Sequence, residues 1–115
     1  MTIHPREIKG ARGSWFSQAP GVVEKMPIMW RYEYNGKTHE LETGWIQRGL
    51  KENSSKHLSF QNFFKENTEK EIHIALADPE DKNKHPHVIK EYIGVFFVKV
   101  LAYEPEIKLL FIKQI

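Results

Sequence analysis

The chain has 115 residues, of which 40% are hydrophobic and 28% are charged, and its net charge is +2. A chain of this length can close one hydrophobic core, and these proportions are those of globular proteins, which excludes a disordered chain or a fibrous repeat. The net charge is too small to indicate a polyanionic partner by itself.

The sequence contains no cysteine. That absence excludes disulfides and thiolate metal sites, and it favours a reducing compartment. The first residues carry no apolar segment typical of a signal peptide, and the longest apolar stretch, residues 92–98, ends at Lys99. We therefore expect one cytoplasmic domain, residues 1–115, with no membrane partner.

Residues 1–21 mix basic and aromatic side chains with residues that break regular structure, namely Pro5, Gly10, Gly13, Pro20 and Gly21. Glycine and proline at this density are typical of turns and loops. The segment is therefore predicted to be an irregular basic arm that carries an aromatic anchor.

A β-hairpin is predicted around Asn35-Gly36, because this dipeptide favours a two-residue type I′ turn between alternating segments, here residues 28–34 and 37–43. The turn would fix the register, with three pairs on one face: Tyr34 with Lys37, Tyr32 with His39, and Trp30 with Leu41. We expect this aromatic face to point inward.

The second half of the chain contains one predicted helix and three predicted strands. Phe60, Phe63 and Phe64 have helical spacing behind Ser59, a candidate N-cap, and residues 44–51 can form a further helical turn. Residues 71–77 alternate as a strand that buries Ile72, Ile74 and Leu76. Residues 93–103 and 106–114 are apolar on both faces, as central strands are.

These elements predict an α+β fold, with a curled, mainly antiparallel sheet or open pseudobarrel of about five strands and one or two short helices. The two apolar strands near the end of the chain also favour pairing across a two-fold axis in a homodimer.

Nucleic acid is the predicted ligand. Cations displace the counterions condensed on a phosphate backbone, and exposed rings stack on bases. The predicted contact residues come from the arm and from the polar loop after residue 78: Arg6, Lys9, Arg12, Trp15, Phe16, Lys82, Lys84, His85, His87 and Lys90. The alternative for the arm is that Trp15 only anchors it to the sheet. No motif indicates a cofactor.

Three other interpretations stay open. His85 and His87 have a spacing that suits one metal ion, although further ligands such as Asp78 or Asp81 would be needed. His39 and His73 are candidates for the acid and base of a small endoribonuclease or toxin. An inhibitor or immunity-type module would instead meet a basic protein through an acidic middle region: Glu40, Glu42, Glu52, Glu66, Glu69 and Glu71.

One resemblance to a known family rests on three pieces of sequence: Trp30-Arg31-Tyr32-Glu33-Tyr34, Gly44-Trp45, and Gly49-Leu50-Lys51-Glu52-Asn53. Over about a fifth of the chain they resemble the β-pseudobarrel DNA-binding domains of plant transcription factors and some restriction endonucleases. The Gly-Asp turn that follows in those domains is absent here. The resemblance implies that the basic arm and the loops beside the hairpin contact the DNA major groove.

Overall fold

The computed structural model describes residues 3–10, 15–44, 55–83, 88–103 and 106–115. Within these ranges one α-helix and eight β-strands are formed: β1 (Lys9–Gly10), β2 (Phe16–Ala19), β3 (Val22–Trp30), β4 (Tyr34–Asn35), β5 (Glu40–Gly44), α1 (Ser55–Glu66), β6 (Glu71–Pro79), β7 (Ile89–Ala102) and β8 (Glu106–Gln114). Two short 3₁₀ turns span Pro5–Glu7 and Arg31–Glu33. The described part of the chain contains no helix with the length and apolar character needed to cross a membrane.

All eight strands belong to one open, mixed sheet with the order β1-β2-β3-β6-β7-β8-β5-β4. The β3–β6 pair is parallel, and every other neighbouring pair is antiparallel. The predicted α+β class is confirmed, whereas the predicted count of about five strands was wrong. Strands β1 and β4 have only two residues each, which is too short for an alternating pattern to reveal them.

Helix α1 packs on one face of the sheet through Phe60 and Phe64, which are both fully buried. Their spacing of four residues places them on one side of the helix. They join a core that contains Phe16, Met29, Leu41, Ile72, Ile74, Leu76, Val98, Val100, Ile107 and Leu109. The predicted phenylalanine helix is therefore confirmed, but it begins at Ser55, so Ser59 lies within it and is not its N-cap.

The other face of the sheet is partly covered by residues 3–10. Ile3 and Ile8 are buried there in a second cluster with Met26, Ala75 and Val95. Residues 3–10 and 15–21 were expected to form an irregular arm, yet they contain a 3₁₀ turn and strands β1 and β2. Apolar burial fixes this segment, because both isoleucines leave water for the sheet surface.

The predicted hairpin register was wrong. Trp30 lies in β3, where it pairs with Ala77 of β6, and a 3₁₀ turn separates it from β4. Tyr34 then pairs with Leu41 instead of Lys37. Of the three aromatic residues assigned to the inner face, Trp30 is buried and Tyr34 half-buried, but Tyr32 is 46% exposed.

The turn between β4 and β5 explains the altered register. The Asn35 side-chain oxygen accepts the Lys37 backbone N–H at 2.9 Å, and the Asn35 carbonyl accepts the His39 N–H at 2.9 Å. His39 adopts a φ of 58°, so the left-handed residue is His39 and not Gly36. The asparagine side chain thus organises a longer turn in place of the two-residue type I′ turn.

The strands predicted in the second half of the chain are confirmed. Strand β6 buries Ile72, Ile74 and Leu76, while β7 and β8 form a long antiparallel pair. Strand β8 also pairs with β5, and β7 also pairs with β6. Strands β7 and β8 are therefore each hydrogen-bonded to a neighbouring strand on both sides. Along the paired residues, neither of these two strands has a free edge with which a second copy of the chain could pair. The helical turn predicted for residues 44–51 lies outside the described residues from position 45 onward.

Glu69 generates a prediction about stability, because it follows α1 with a φ of 65°. This left-handed conformation is unfavourable for residues with a Cβ and free of that penalty for glycine. Glu69→Gly should therefore raise the free energy of unfolding by about 1 kcal/mol, measured by urea denaturation. The matched control Glu66→Gly, at the last residue of the helix, should lower it by up to about 1 kcal/mol. A lower stability for Glu69→Gly would contradict the prediction.

Candidate nucleic-acid interface

The N-terminal 3₁₀ turn lies beside the first half of β7, and the two enclose a groove of about 420 Å³. We call it the N-terminal groove. Its lining residues are His4, Pro5, Arg6, Glu91, Tyr92 and Ile93. Residues from opposite ends of the sequence therefore form one concave surface.

Two kinds of local interaction hold the turn in place. Ile3 and Ile8 are buried on either side of it. The turn itself is closed by a reciprocal cap, in which His4 Nδ1 accepts the Arg6 N–H at 3.1 Å and Glu7 Oε1 accepts the His4 N–H at 3.0 Å. The cap satisfies backbone donors that the turn leaves free, so the backbone that carries Arg6 is ordered.

Tyr92 is the aromatic residue of the groove. Its partial burial raises the pKa of the phenol above the ordinary value of 10.0, so the hydroxyl keeps its proton at neutral pH. A Cβ added to Gly10 would lie 2.8 Å from this hydroxyl. The absence of a side chain at Gly10 therefore allows β1 to pass close to Tyr92.

Three predicted cationic contact residues lie in the segments that form or flank the groove. Arg6 lines the groove. Lys9 is the residue before Gly10, which lies close to the Tyr92 hydroxyl. Lys90 lies on β7, two residues before Tyr92, and all three cationic side chains are exposed. The carboxylate of Glu91 also lines the groove and partly offsets their charge.

Among the other predicted contact residues, Lys82 is exposed in the connection between β6 and β7. That connection is closed by the Glu80 N–H, which donates to the Val88 carbonyl at 2.8 Å. Four predicted residues lie outside the described residues: Arg12, Lys84, His85 and His87.

The two predicted aromatic contacts lie on the helix side of the sheet. Phe16 is only 5% exposed, and its ring centroid is 5.6 Å from that of Phe60 and 5.3 Å from that of Phe63. Trp15 is half-buried, with its ring 5.1 Å from Phe60, and Lys25 Nζ lies 4.3 Å from the Phe16 ring centroid. Both rings thus contact α1 on the sheet face opposite the N-terminal groove.

Sequence reasoning missed Tyr92, because it lies in an apolar stretch that is typical of a core strand. It also missed an ion pair near the end of β6, where Arg31 Nε and Nη2 donate to the two Asp78 carboxylate oxygens at 3.0 and 2.6 Å. Asp78 had been considered as a metal ligand. No group of three or more His, Cys, Asp or Glu residues in the described ranges is arranged to hold a metal ion.

The two histidines considered for catalysis are not neighbours. His39 Nδ1 lies 3.1 Å from the Tyr34 hydroxyl, just before β5. His73 lies on β6, beside Phe97 at 5.0 Å between ring centroids. Strands β7 and β8 separate β5 from β6, so three interstrand spacings, about 14 Å, lie between the histidines. The structure does not join them in one acid–base site.

A second groove, of about 450 Å³, lies at the β4–β5 edge of the sheet. We call it the acidic groove, and its lining residues are Glu33, Asn35, Thr38, Glu40, Glu42 and Lys108. Glu42 Oε1 lies 3.1 Å from Lys108 Nζ, and this hydrogen bond raises the pKa of the lysine. Of the predicted acidic residues, Glu66, Glu69 and Glu71 are exposed elsewhere, and Glu52 lies outside the described residues.

No family model matches the chain, and no curated protein or solved structure matches it at a significant level. The resemblance of residues 30–53 to β-pseudobarrel DNA-binding domains stays a prediction. Residues 45–53 of that region lie outside the described residues. The function must therefore be argued from the chemistry of the two grooves.

The contact between Gly10 and Tyr92 gives a direct test of the N-terminal groove. Gly10→Ala brings a methyl group to 2.8 Å from the Tyr92 hydroxyl. Because Gly10 is exposed and the hydroxyl is the far end of a side chain that can shift, the cost should be about 1 kcal/mol or less, the lower end of the range for overpacking. The same substitution should cost less than half as much in a Tyr92→Phe background, because the closest atom is gone. Urea denaturation of the four proteins measures both costs. An equal cost in both backgrounds would show that the two residues are not in contact.

Proposed function

We propose that the protein is a nucleic-acid-binding module that contacts its ligand through the N-terminal groove. The observation that supports this proposal is that Arg6 and Tyr92 line one groove, while Lys9 and Lys90 are exposed at nearby positions of the chain. Arginine and lysine side chains supply most protein contacts to the sugar-phosphate backbone, and they fix the register of the bound chain.

Each of these side chains, and Glu91, has a chemical role in this proposal. The Arg6 guanidinium can pair with two oxygens of one phosphate, whereas Lys9 and Lys90 act as point charges. Tyr92 carries a protonated hydroxyl that can donate to a phosphate oxygen, and its ring offers a surface to a sugar or base. Glu91 opposes phosphate binding by charge repulsion, so its removal is expected to strengthen the same contact.

Salt dependence tests the proposal. Binding of a fluorescent oligonucleotide, followed by anisotropy, should weaken linearly with salt on a logarithmic plot. Arg6→Gln should lower affinity for all sequences alike and reduce the slope by about 1, because one phosphate contact is lost. Glu91→Gln should raise affinity, since the groove loses its carboxylate.

Lys37→Gln provides a matched control, since it removes one exposed charge from the β4–β5 turn, outside the N-terminal groove. It should leave the slope almost unchanged. Equal effects of Arg6→Gln and Lys37→Gln would show that only the net charge matters. Absence of binding at low salt would overturn the proposal.

A basic protein partner is a second candidate, supported by the acidic groove. Glu33, Glu40 and Glu42 line it together with one cation, Lys108, which is already bound to Glu42. A surface of net negative charge steers and orients a partner of opposite charge. This candidate corresponds to an inhibitor or immunity-type module that covers a basic surface.

An oligolysine peptide is a suitable probe for the acidic groove. Glu40→Gln combined with Glu42→Gln should weaken peptide binding by about 2- to 30-fold, because each exposed ion pair contributes about 0.2–1 kcal/mol. The matched control, Glu66→Gln combined with Glu80→Gln, changes the same charge outside the groove and should have a smaller effect. Isothermal titration calorimetry measures both. Equal weakening by the two double variants would count against a defined site.

A further inference from the structure

His73 and Phe97 form a ring pair on the sheet face opposite α1. They are direct cross-strand partners on β6 and β7, with ring centroids 5.0 Å apart and ring planes at 54°. Ile72 and Ile74 point to the helix side, so His73 between them points to the other face. The His73 side chain is 28% exposed and Phe97 is half-buried, which leaves part of each ring accessible.

The N-terminal cover of this sheet face ends close to the ring pair. Ile3 and Ile8 share a cluster with Ala75 and Val95, which are two residues from His73 and Phe97 on the same strands. Along β7 the distance from Phe97 to Tyr92 is five residues, or about 17 Å of extended strand. A single-stranded nucleic acid bound by one small domain spans about 4–16 nucleotides, which is enough to reach both positions.

The charges around the ring pair suit a phosphate on one side. Lys113 of β8 is exposed and lies directly across from Phe97. On the other side, Glu24 Oε2 lies 3.7 Å from His73 Nδ1. If a base stacks on the Phe97 ring, the ammonium group of Lys113 can neutralise the phosphate next to that base. The Glu24 carboxylate repels phosphates, so it disfavours a path of the nucleic-acid backbone over His73. The geometry therefore favours a base on the rings and a phosphate at Lys113.

From this arrangement, and resting on the proposed function, we infer that the ligand is single-stranded nucleic acid and that His73 and Phe97 form a second contact, which stacks on an unpaired base. In a duplex both faces of every internal base are covered by neighbouring base pairs, so the rings would have nothing to stack on. A single strand exposes its bases and can offer one to the ring pair while its phosphates contact Lys113 and Arg6.

The test compares an oligothymidylate of about 15 nucleotides with a hairpin duplex that carries the same number of phosphates. Wild-type protein should prefer the single strand. Phe97→Leu should weaken single-strand binding about 5- to 100-fold, because the stacking surface is lost, and should change duplex binding less than about twofold. Phe97→Trp keeps an aromatic ring and should retain single-strand affinity, which separates stacking from hydrophobic packing.

Circular dichroism and thermal unfolding establish whether Phe97→Leu is folded, and His73→Leu removes the other ring if it is not. If wild-type protein binds neither ligand, the proposed function itself fails. If binding occurs and depends on Arg6 but not on Phe97 or His73, the proposed function stands and the stacking inference is overturned. Equal loss of single-strand and duplex affinity in Phe97→Leu would also overturn it.

Discussion

Strand β6 is buried on both faces, and the rest of the structure is arranged around that constraint. Ile72, Ile74 and Leu76 face the phenylalanines of α1, while Ala75 and Ala77 face the opposite side. A strand with apolar residues on both faces must be covered twice, because each exposed face would cost hydrophobic free energy. Ala75 is covered by Ile3 and Ile8 of the N-terminal segment, whereas Ala77 packs with Ile28 and Trp30 of β3.

That cover also determines where the charges lie. Burial of Ile3 and Ile8 brings the intervening turn to β7, and the cap between His4 and Glu7 orders its backbone. Arg6 consequently lines the same groove as Tyr92, although its side chain stays exposed. The same segment thus closes the core and presents a cation, so the stability of the second face and the geometry of the N-terminal groove are linked.

The two grooves differ in charge although the net charge of the chain is only +2: Arg6 and Glu91 balance in the N-terminal groove, whereas three glutamates and one lysine line the acidic groove. The acidic groove lies at the β4–β5 edge, and the N-terminal groove lies over β7, near the first residues of β1. Local charge at a concave surface governs recognition more than net charge does. A polyanion and a basic protein would therefore approach different parts of this sheet, which makes the two proposed functions separable by mutation.

Local periodicity in the sequence was sufficient to predict α1 and strands β6, β7 and β8, because alternation and the spacing of Phe60 and Phe64 reflect burial directly. The shared role of the N-terminal cations and Lys90 in ligand binding stays a prediction. Tertiary structure alone decided the parallel β3–β6 pairing, the packing of Trp15 and Phe16 against α1, and the position of Arg6 beside Tyr92. These features depend on contacts between residues that are far apart in the chain. They also depend on short strands whose pairing is fixed by the neighbouring strands. For both reasons, no local sequence pattern encodes them.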